Sequence, residues 1–356
     1  MKKHNFFAGP AILPEEVKKQ ASEAALDYQG IGLSLMEISH RGKEFVAILE
    51  KTEQTVRELL GLSDDYAVLF LTGGASTQFF MTAMNLASDN DTIGFVDTGS
   101  WSKKAIKEAR NFCQVDVLAS SADSNYNYIP KNYSVPDKLK YLHLTSNNTI
   151  FGTQTKMWPD SSCPIVCDMS SDIFSRPLPV EKFGLIYAGA QKNVGPAGVT
   201  LVIVKKDLVN KSGRNLPTML NYQTHIDKDS SFNTPPVFPI YVSMLTMQWV
   251  LKNGGLQAMK SRNDAKAEVL YNEIDRNGLF KGTTAPEDRS PMNATFVLEN
   301  PELEEAFLEI CTEAGIVGLK GHRSVGGFRA SMYNAIELES VQLLVDVMKS
   351  FEQKNG

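Results

Sequence analysis

Apolar residues in this chain gather in short runs, separated by stretches in which they recur every three or four positions. Residues 66–71 (YAVLFL), 92–96, 141–144, 164–167, 184–188 and 199–204 are such runs, of strand length, as buried strands require. Helical spacing predicts helices over 15–27, opened by Pro14, Glu15 and Glu16, and over 44–60, where Phe45, Ile48, Leu49, Val56, Leu59 and Leu60 share a face. Further helices are expected over 79–86, from Trp101 through Arg110, and over 240–253 as an amphipathic helix stopped by Gly254 and Gly255. Residues 30–39 read as extended, and 256–276 as a long helix between two parts of the chain. The alternation of strand and helix from 66 to 204 predicts an α/β fold with a mostly parallel central sheet flanked by helices. After 277 the character changes to a smaller α+β unit: a strand at 295–298, a helix at 302–314, a strand at 328–331 and a closing helix at 337–352. The expected division is a large domain over 15–260 and a small one made of 1–14 and 261–356.

Composition narrows the function classes. Of 356 residues, 42% are hydrophobic and 22% charged, ordinary values for a globular protein. A formal charge of −5, with no basic run, argues against broad nucleic-acid binding. The longest apolar runs are too short to span a membrane, and the first residues lack the apolar core of a signal peptide, so the cytoplasm is the expected location. Cys113, Cys163, Cys167 and Cys311 fit no zinc spacing, and the five histidines do not cluster with them, so reduced structural thiols and no metal are expected.

Candidate chemistry centres on Lys192, in a glycine-punctuated loop (189–198) between two strands. It reads either as a solvated loop lysine or as a Schiff-base amine, activated because partial desolvation lowers its pKa. Asp168 ends the strand before, where open sheets place ligand chemistry. It reads equally as a cap on the following turn or as the partner of a pyridinium nitrogen, where opposite charges near contact are worth roughly 4 kcal/mol at an effective dielectric of about 20. The stretch TGGASTQ (72–78) leads from strand to helix and forms an anion cradle, with Ser76 and Thr77 as hydroxyl donors. It is neither a Walker loop nor a dinucleotide fingerprint. Trp101 can stack on a flat ring or serve as core, and Thr149 can donate to a ring substituent. Arg41 beside His40, just before a helix, is a surface residue or an anion ligand; Asn233 and Thr234 are held in direction by Pro235 and Pro236. His322, Arg323 and Arg329 lie on a glycine-rich loop and the strand after it.

With these residues placed, the chain resembles the phosphoserine aminotransferase family, pyridoxal-phosphate enzymes of the class V aminotransferases with fold type I. The likeness covers essentially the whole chain and rests on AGP near the start, MEISHRGKEF, YAGAQKNVGPAG, SFNTPP and KGHRSVGGFRASMYNA. It implies that Lys192 carries the cofactor, that Asp168 meets its ring nitrogen and that Trp101 stacks on it, with Ala75, Ser76, Thr149 and Gln191 as further contacts. Asn233 and Thr234 resemble a pair that reaches the cofactor phosphate from a neighbouring subunit, implying a homodimer with shared sites. His40, Arg41, His322 and Arg323 resemble ligands of a substrate phosphate or distal carboxylate, and Arg329 that of the α-carboxylate. Some members have Gly-Arg where this chain has Ala75 and Ser76, and serine at Ala8. The implied reaction converts O-phospho-L-serine and 2-oxoglutarate to 3-phosphohydroxypyruvate and L-glutamate, in serine biosynthesis, with 4-phosphohydroxythreonine as a second substrate in pyridoxine biosynthesis. A cysteine desulfurase or decarboxylase of the same fold, a nicotinamide-dependent dehydrogenase and a binding module are the alternatives.

Overall fold

The apolar runs pair into one seven-stranded sheet. In the computed structural model, which describes residues 2–356, its strands are β1 (Tyr66–Leu71), β2 (Thr92–Asp97), β3 (Gln114–Ser120), β4 (Leu142–Thr145), β5 (Ile165–Asp168), β6 (Phe183–Gly189) and β7 (Thr200–Lys205). They lie in the order β1-β7-β6-β5-β4-β2-β3, and β7 alone runs antiparallel to its neighbours. The longer helices are α1 (Glu15–Leu26), α2 (Lys43–Leu60), α3 (Gly74–Leu86), α4 (Ser100–Ala109), α5 (Val237–Lys252), α6 (Gly255–Arg276), α7 (Glu304–Glu313) and α8 (Leu338–Asn355).

Because side chains alternate along a strand, each strand feeds two cores. Val68 and Phe70 of β1 with Leu201 and Ile203 of β7 join residues of α1, α2 and α5. Ala67, Leu69, Val202 and Val204 join residues of α3 and α4 on the other face. A third core, apart from the sheet, unites Phe6 with Phe280, Phe296, Phe307, Phe328 and Phe351. It packs against a small antiparallel sheet of β8 (Phe280–Gly282), β9 (Asn293–Leu298) and β10 (Phe328–Ser331). The first strand of the chain, His4–Asn5, pairs in parallel with Ile316–Val317, which ties the N-terminal segment to this late unit.

Four local expectations are corrected. The helix expected from 79 begins at Gly74, and Thr77 Oγ1 turns back onto Gly73 O at 2.9 Å, so its hydroxyl is satisfied within the first turn. Residues 30–39 are not simply extended: Leu35–Glu37 form a short 3₁₀ turn in which Ser34 Oγ accepts from Met36 N at 3.1 Å. Helix α5 starts at Val237 and is buried at every position from Ile240 to Met247, because it is covered by α1, α2 and α6 as well as the sheet; it has no polar face to speak of. Strands β3 and β8 were not anticipated. β3 is an edge strand with mostly exposed, partly polar positions, so it carries no buried-strand signature.

Among the described residues, no helix is long and apolar enough to cross a membrane.

Candidate active site

The carboxyl ends of three strands lie in register, Thr145 beside Asp168 and Asp168 beside Tyr187. The segment after β4, Asp168 itself and the loop after β6 therefore converge at one edge of the sheet. That loop folds tightly: Val194 N and Gly195 N both donate to Ala190 O, at 3.2 and 2.8 Å. Gly195 runs so close to α5 that a Cβ there would lie 2.9 Å from Ser243 Cα, so only glycine passes. Lys192 projects from this turn with Nζ 5.5 Å from the centroid of the Trp101 ring. Trp101 is fixed by its indole N–H, which donates to Thr149 Oγ1 at 3.1 Å. On the other side the N-terminal segment closes in: Ala11 N donates to Gln191 O at 2.8 Å, and a Cβ on Gly9 would stand 3.5 Å from Lys192 Cγ.

Burial drives the electrostatics. It lowers the Lys192 pKa from the ordinary 10.5; Asp168 pulls the other way, and the charge of Arg329 lowers it again. Asp168 is raised by burial, against the charge of Lys192 and two hydrogen bonds from Ser170. Those bonds, from Ser170 N at 2.9 Å and Ser170 Oγ at 2.6 Å, both fall on Oδ1, so Oδ2 is the oxygen that can take a donor from a ligand.

Arg329 reaches the same place from β10, donating from Nη1 to Thr149 O at 3.1 Å, while its Nε is buried without a partner. It lines a cleft with His322, Phe151 and Thr295. His322, with Nδ1 2.7 Å from Ser324 Oγ, is lowered below the usual 6.5 by burial and by the charges of Arg329, Arg323 and Lys104. Arg323 is exposed beside it. Ala75 and Ser76 stand in the first turn of α3, whose N-cap Gly73 offers no side-chain hydrogen bond, so the amides of that turn remain for an anion.

His40 has a buried Nε2 without a partner, Arg41 is exposed, and Asn233 and Thr234 are exposed. Among the described residues no hydrogen bond or ion pair of these four side chains reaches Lys192. Asn233 lines a pocket with Thr72, Gly73 and Thr77 at the start of α3.

A family model described as Aminotransferase class-V matches residues 4–344. The chain belongs to the class-V aminotransferases. The phosphoserine aminotransferase of Flavobacterium psychrophilum is 59% identical over 355 residues, covering 99% of this chain and 100% of that protein. That of Parabacteroides distasonis is 54% identical, with 100% of both chains covered. Among solved structures, phosphoserine aminotransferase from Bacillus circulans subsp. alkalophilus matches with a TM-score of 0.97 and 48% identity, over 100% of this chain and 99% of that one. The pyridoxal-phosphate-bound phosphoserine aminotransferase of Trichomonas vaginalis matches with a TM-score of 0.93 and 34% identity, over 98% of this chain and 100% of that one.

Several parts of this class-V site escaped the sequence. Ser170 was within reach, since it follows Asp168 by two positions, the spacing at which a carboxylate bonds its own turn. Asn193, next to Lys192, accepts from Asn334 N at 3.0 Å, and Tyr333 Oη donates to Ala8 O at 2.8 Å; no local pattern announces either pairing. Cys311, the residue a desulfurase reading would need, is buried, and burial pushes its thiol up to about 12, opposite to what a thiolate nucleophile requires.

Proposed function

We propose that this aminotransferase binds pyridoxal phosphate through Lys192 and moves an amino group from L-glutamate to 3-phosphohydroxypyruvate, forming O-phospho-L-serine and 2-oxoglutarate, and the reverse. The observation that carries this reading is a single cluster: Lys192 Nζ against the Trp101 ring, with Asp168 and Arg329 both close enough to bias its charge. The full-length likeness to proteins named phosphoserine aminotransferase supports the substrate class. Serine biosynthesis in the cytoplasm is the corresponding role, and 4-phosphohydroxythreonine, in pyridoxine biosynthesis, the second substrate.

The residues present fit the cofactor. A flat aromatic face, a lowered amine, a carboxylate oxygen left free, and an uncapped helix start are what a phosphorylated pyridine aldehyde needs. Trp101, Thr149, Asp168 and Gln191 would hold the ring, and Ala75 and Ser76 the phosphate, with Asn233 and Thr234 of the partner subunit. When bound, it supplies an electron sink for the pair left behind as the α-hydrogen departs.

The protein's own residues do the rest. Lys192 Nζ, whose charge burial disfavours, takes the α-proton of the amino acid and later gives a proton back. Arg329, with an unpaired Nε, presents a planar fork to the α-carboxylate. His322 and Arg323, with His40 and Arg41 of the partner subunit, take the phosphate or the distal carboxylate. The unpartnered, buried Nε2 of His40 and the exposure of Arg41, Asn233 and Thr234 are consistent with a homodimer whose sites are shared. The third apolar core, separate from the two on the faces of the large sheet, supports a large domain over 15–260 and a small one of 1–14 and 261–356.

The test is a steady-state comparison of the holoenzyme with glutamate and either 3-phosphohydroxypyruvate or pyruvate. The phosphorylated acceptor should be preferred in kcat/KM by on the order of 100-fold or more, the usual scale for a site built to bind a charged group; equal values would contradict the substrate assignment.

A further inference from the structure

A second cavity, about 590 Å³, opens between segments 129–133 and 155–160, over the carboxyl ends of β2 and β4. It shares no lining residue with the cleft around His322 and Arg329. That size suits a small organic molecule. Val96, Ile129 and Leu144 line it together with the rings of Tyr133 and Trp158. Trp158 is held in place, edge-on to Phe183 with centroids 4.8 Å apart and with the Arg176 guanidinium 5.5 Å over its ring.

The charges at the rim are unevenly matched. Lys131 pairs with Asp288 at 3.0 Å and Asp160 with Lys182 at 3.3 Å, and Glu287 lies 3.8 Å from Lys131. Among the described residues Lys156 has no carboxylate in ion-pair contact. Lys156 is exposed as a residue, but its ammonium is part-buried, donating to the neutral Gln154 Oε1 at 3.0 Å. Gln154 is itself fixed, because its amide donates to Asp172 Oδ2 at 3.0 Å, and Asp172 is held by Ser146 and by Arg176 at 3.3 Å. The ammonium is therefore pre-positioned and has donors to spare. Burial, then Arg176, bring its pKa down to about 8 against the pull of Asp172, Asp264 and Asp288, a penalty that a bound anion would relieve. Thr145, also in the wall, has a buried hydroxyl with no partner.

We propose that this cavity is a second binding site, for a small organic monoanion with a flat apolar body: the body lies among Tyr133, Trp158 and Leu144, and the carboxylate meets Lys156. The carboxylates lining the cavity, Asp160, Glu287 and the buried Asp288, disfavour a dianion, so the phosphorylated substrates are not the ligands. A flat body is selected because both aromatic walls offer faces or edges to it.

Calorimetric titration of 2-naphthoate into the holoenzyme tests this, with Lys156→Met and Arg329→Leu alongside. Lys156→Met removes a charge that burial already penalises, so it should not lower the melting temperature. The expected result is binding that Lys156→Met weakens tenfold or more and Arg329→Leu leaves within twofold. Binding lost in Arg329→Leu and unchanged in Lys156→Met would put naphthoate in the other cleft and overturn the proposal, as would no binding at millimolar concentration.

Discussion

At Lys192 the competing influences have clear signs. Burial and Arg329 favour the neutral amine, and Asp168, followed by Asp172, favours the ammonium. The neutral fraction grows with pH, so the rate at which apoenzyme takes up pyridoxal phosphate should rise with pH and level off with a midpoint below 10.5. Asp168→Asn should move that midpoint lower still, since it removes the charge that retains the proton. A rate still climbing tenfold per unit through 10.5 would contradict this; stopped-flow absorbance reads it directly. Arg329 makes a second prediction at the same scale. It holds Thr149 O with one nitrogen and leaves Nε unpaired, whereas a lysine has one nitrogen for both tasks. Arg329→Lys should raise KM for both amino donors by about tenfold, roughly 1.4 kcal/mol, and unchanged KM values would remove Arg329 from the carboxylate site.

At the scale of elements, what was legible in the sequence was local. Residues 184–188, 189–198 and 199–204 read as strand, glycine turn and strand because every signal involved lies within a few positions, and the elements found there are β6, a tight turn and β7. Asp168 at the end of β5 was legible for the same reason. β3 was not, because an exposed edge strand needs no apolar alternation, and the full burial of α5 depends on neighbours far away in sequence. The joint between the strand of Arg329 and the loop of Lys192 was equally invisible. There Asn334 donates to Phe174 O at 2.9 Å, accepts from Asn263 Nδ2 at 2.9 Å, and gives its backbone N–H to Asn193 Oδ1. Asn334→Ala would strand the buried Phe174 carbonyl and one N–H of the Asn263 amide, whose other N–H keeps Ser175 O. It should cost about 2–3 kcal/mol in urea unfolding; an unchanged midpoint would show that these bonds carry no stability.

For the whole molecule, the assignment of His40, Arg41, Asn233 and Thr234 to a shared site makes subunit mixing decisive. Lys192→Ala and the double variant Asn233→Ala, Thr234→Ala should each be nearly inactive. Denatured together and refolded as a random mixture, half of the dimers are mixed and each has one intact site, so activity should recover to about a quarter of wild type. No recovery would mean that each chain builds its site alone. The layered architecture itself, a mostly parallel sheet with helices on both faces and a small α+β unit, followed from the alternation of strand and helix, because that pattern admits few topologies.

The central claim is that one amine, Lys192 Nζ, carries the cofactor. Borohydride reduction of the holoenzyme followed by proteolysis and mass spectrometry tests it most directly. The pyridoxyl group should be found on the peptide that contains Lys192, at one per chain; its recovery on another lysine, or on none, would contradict the account.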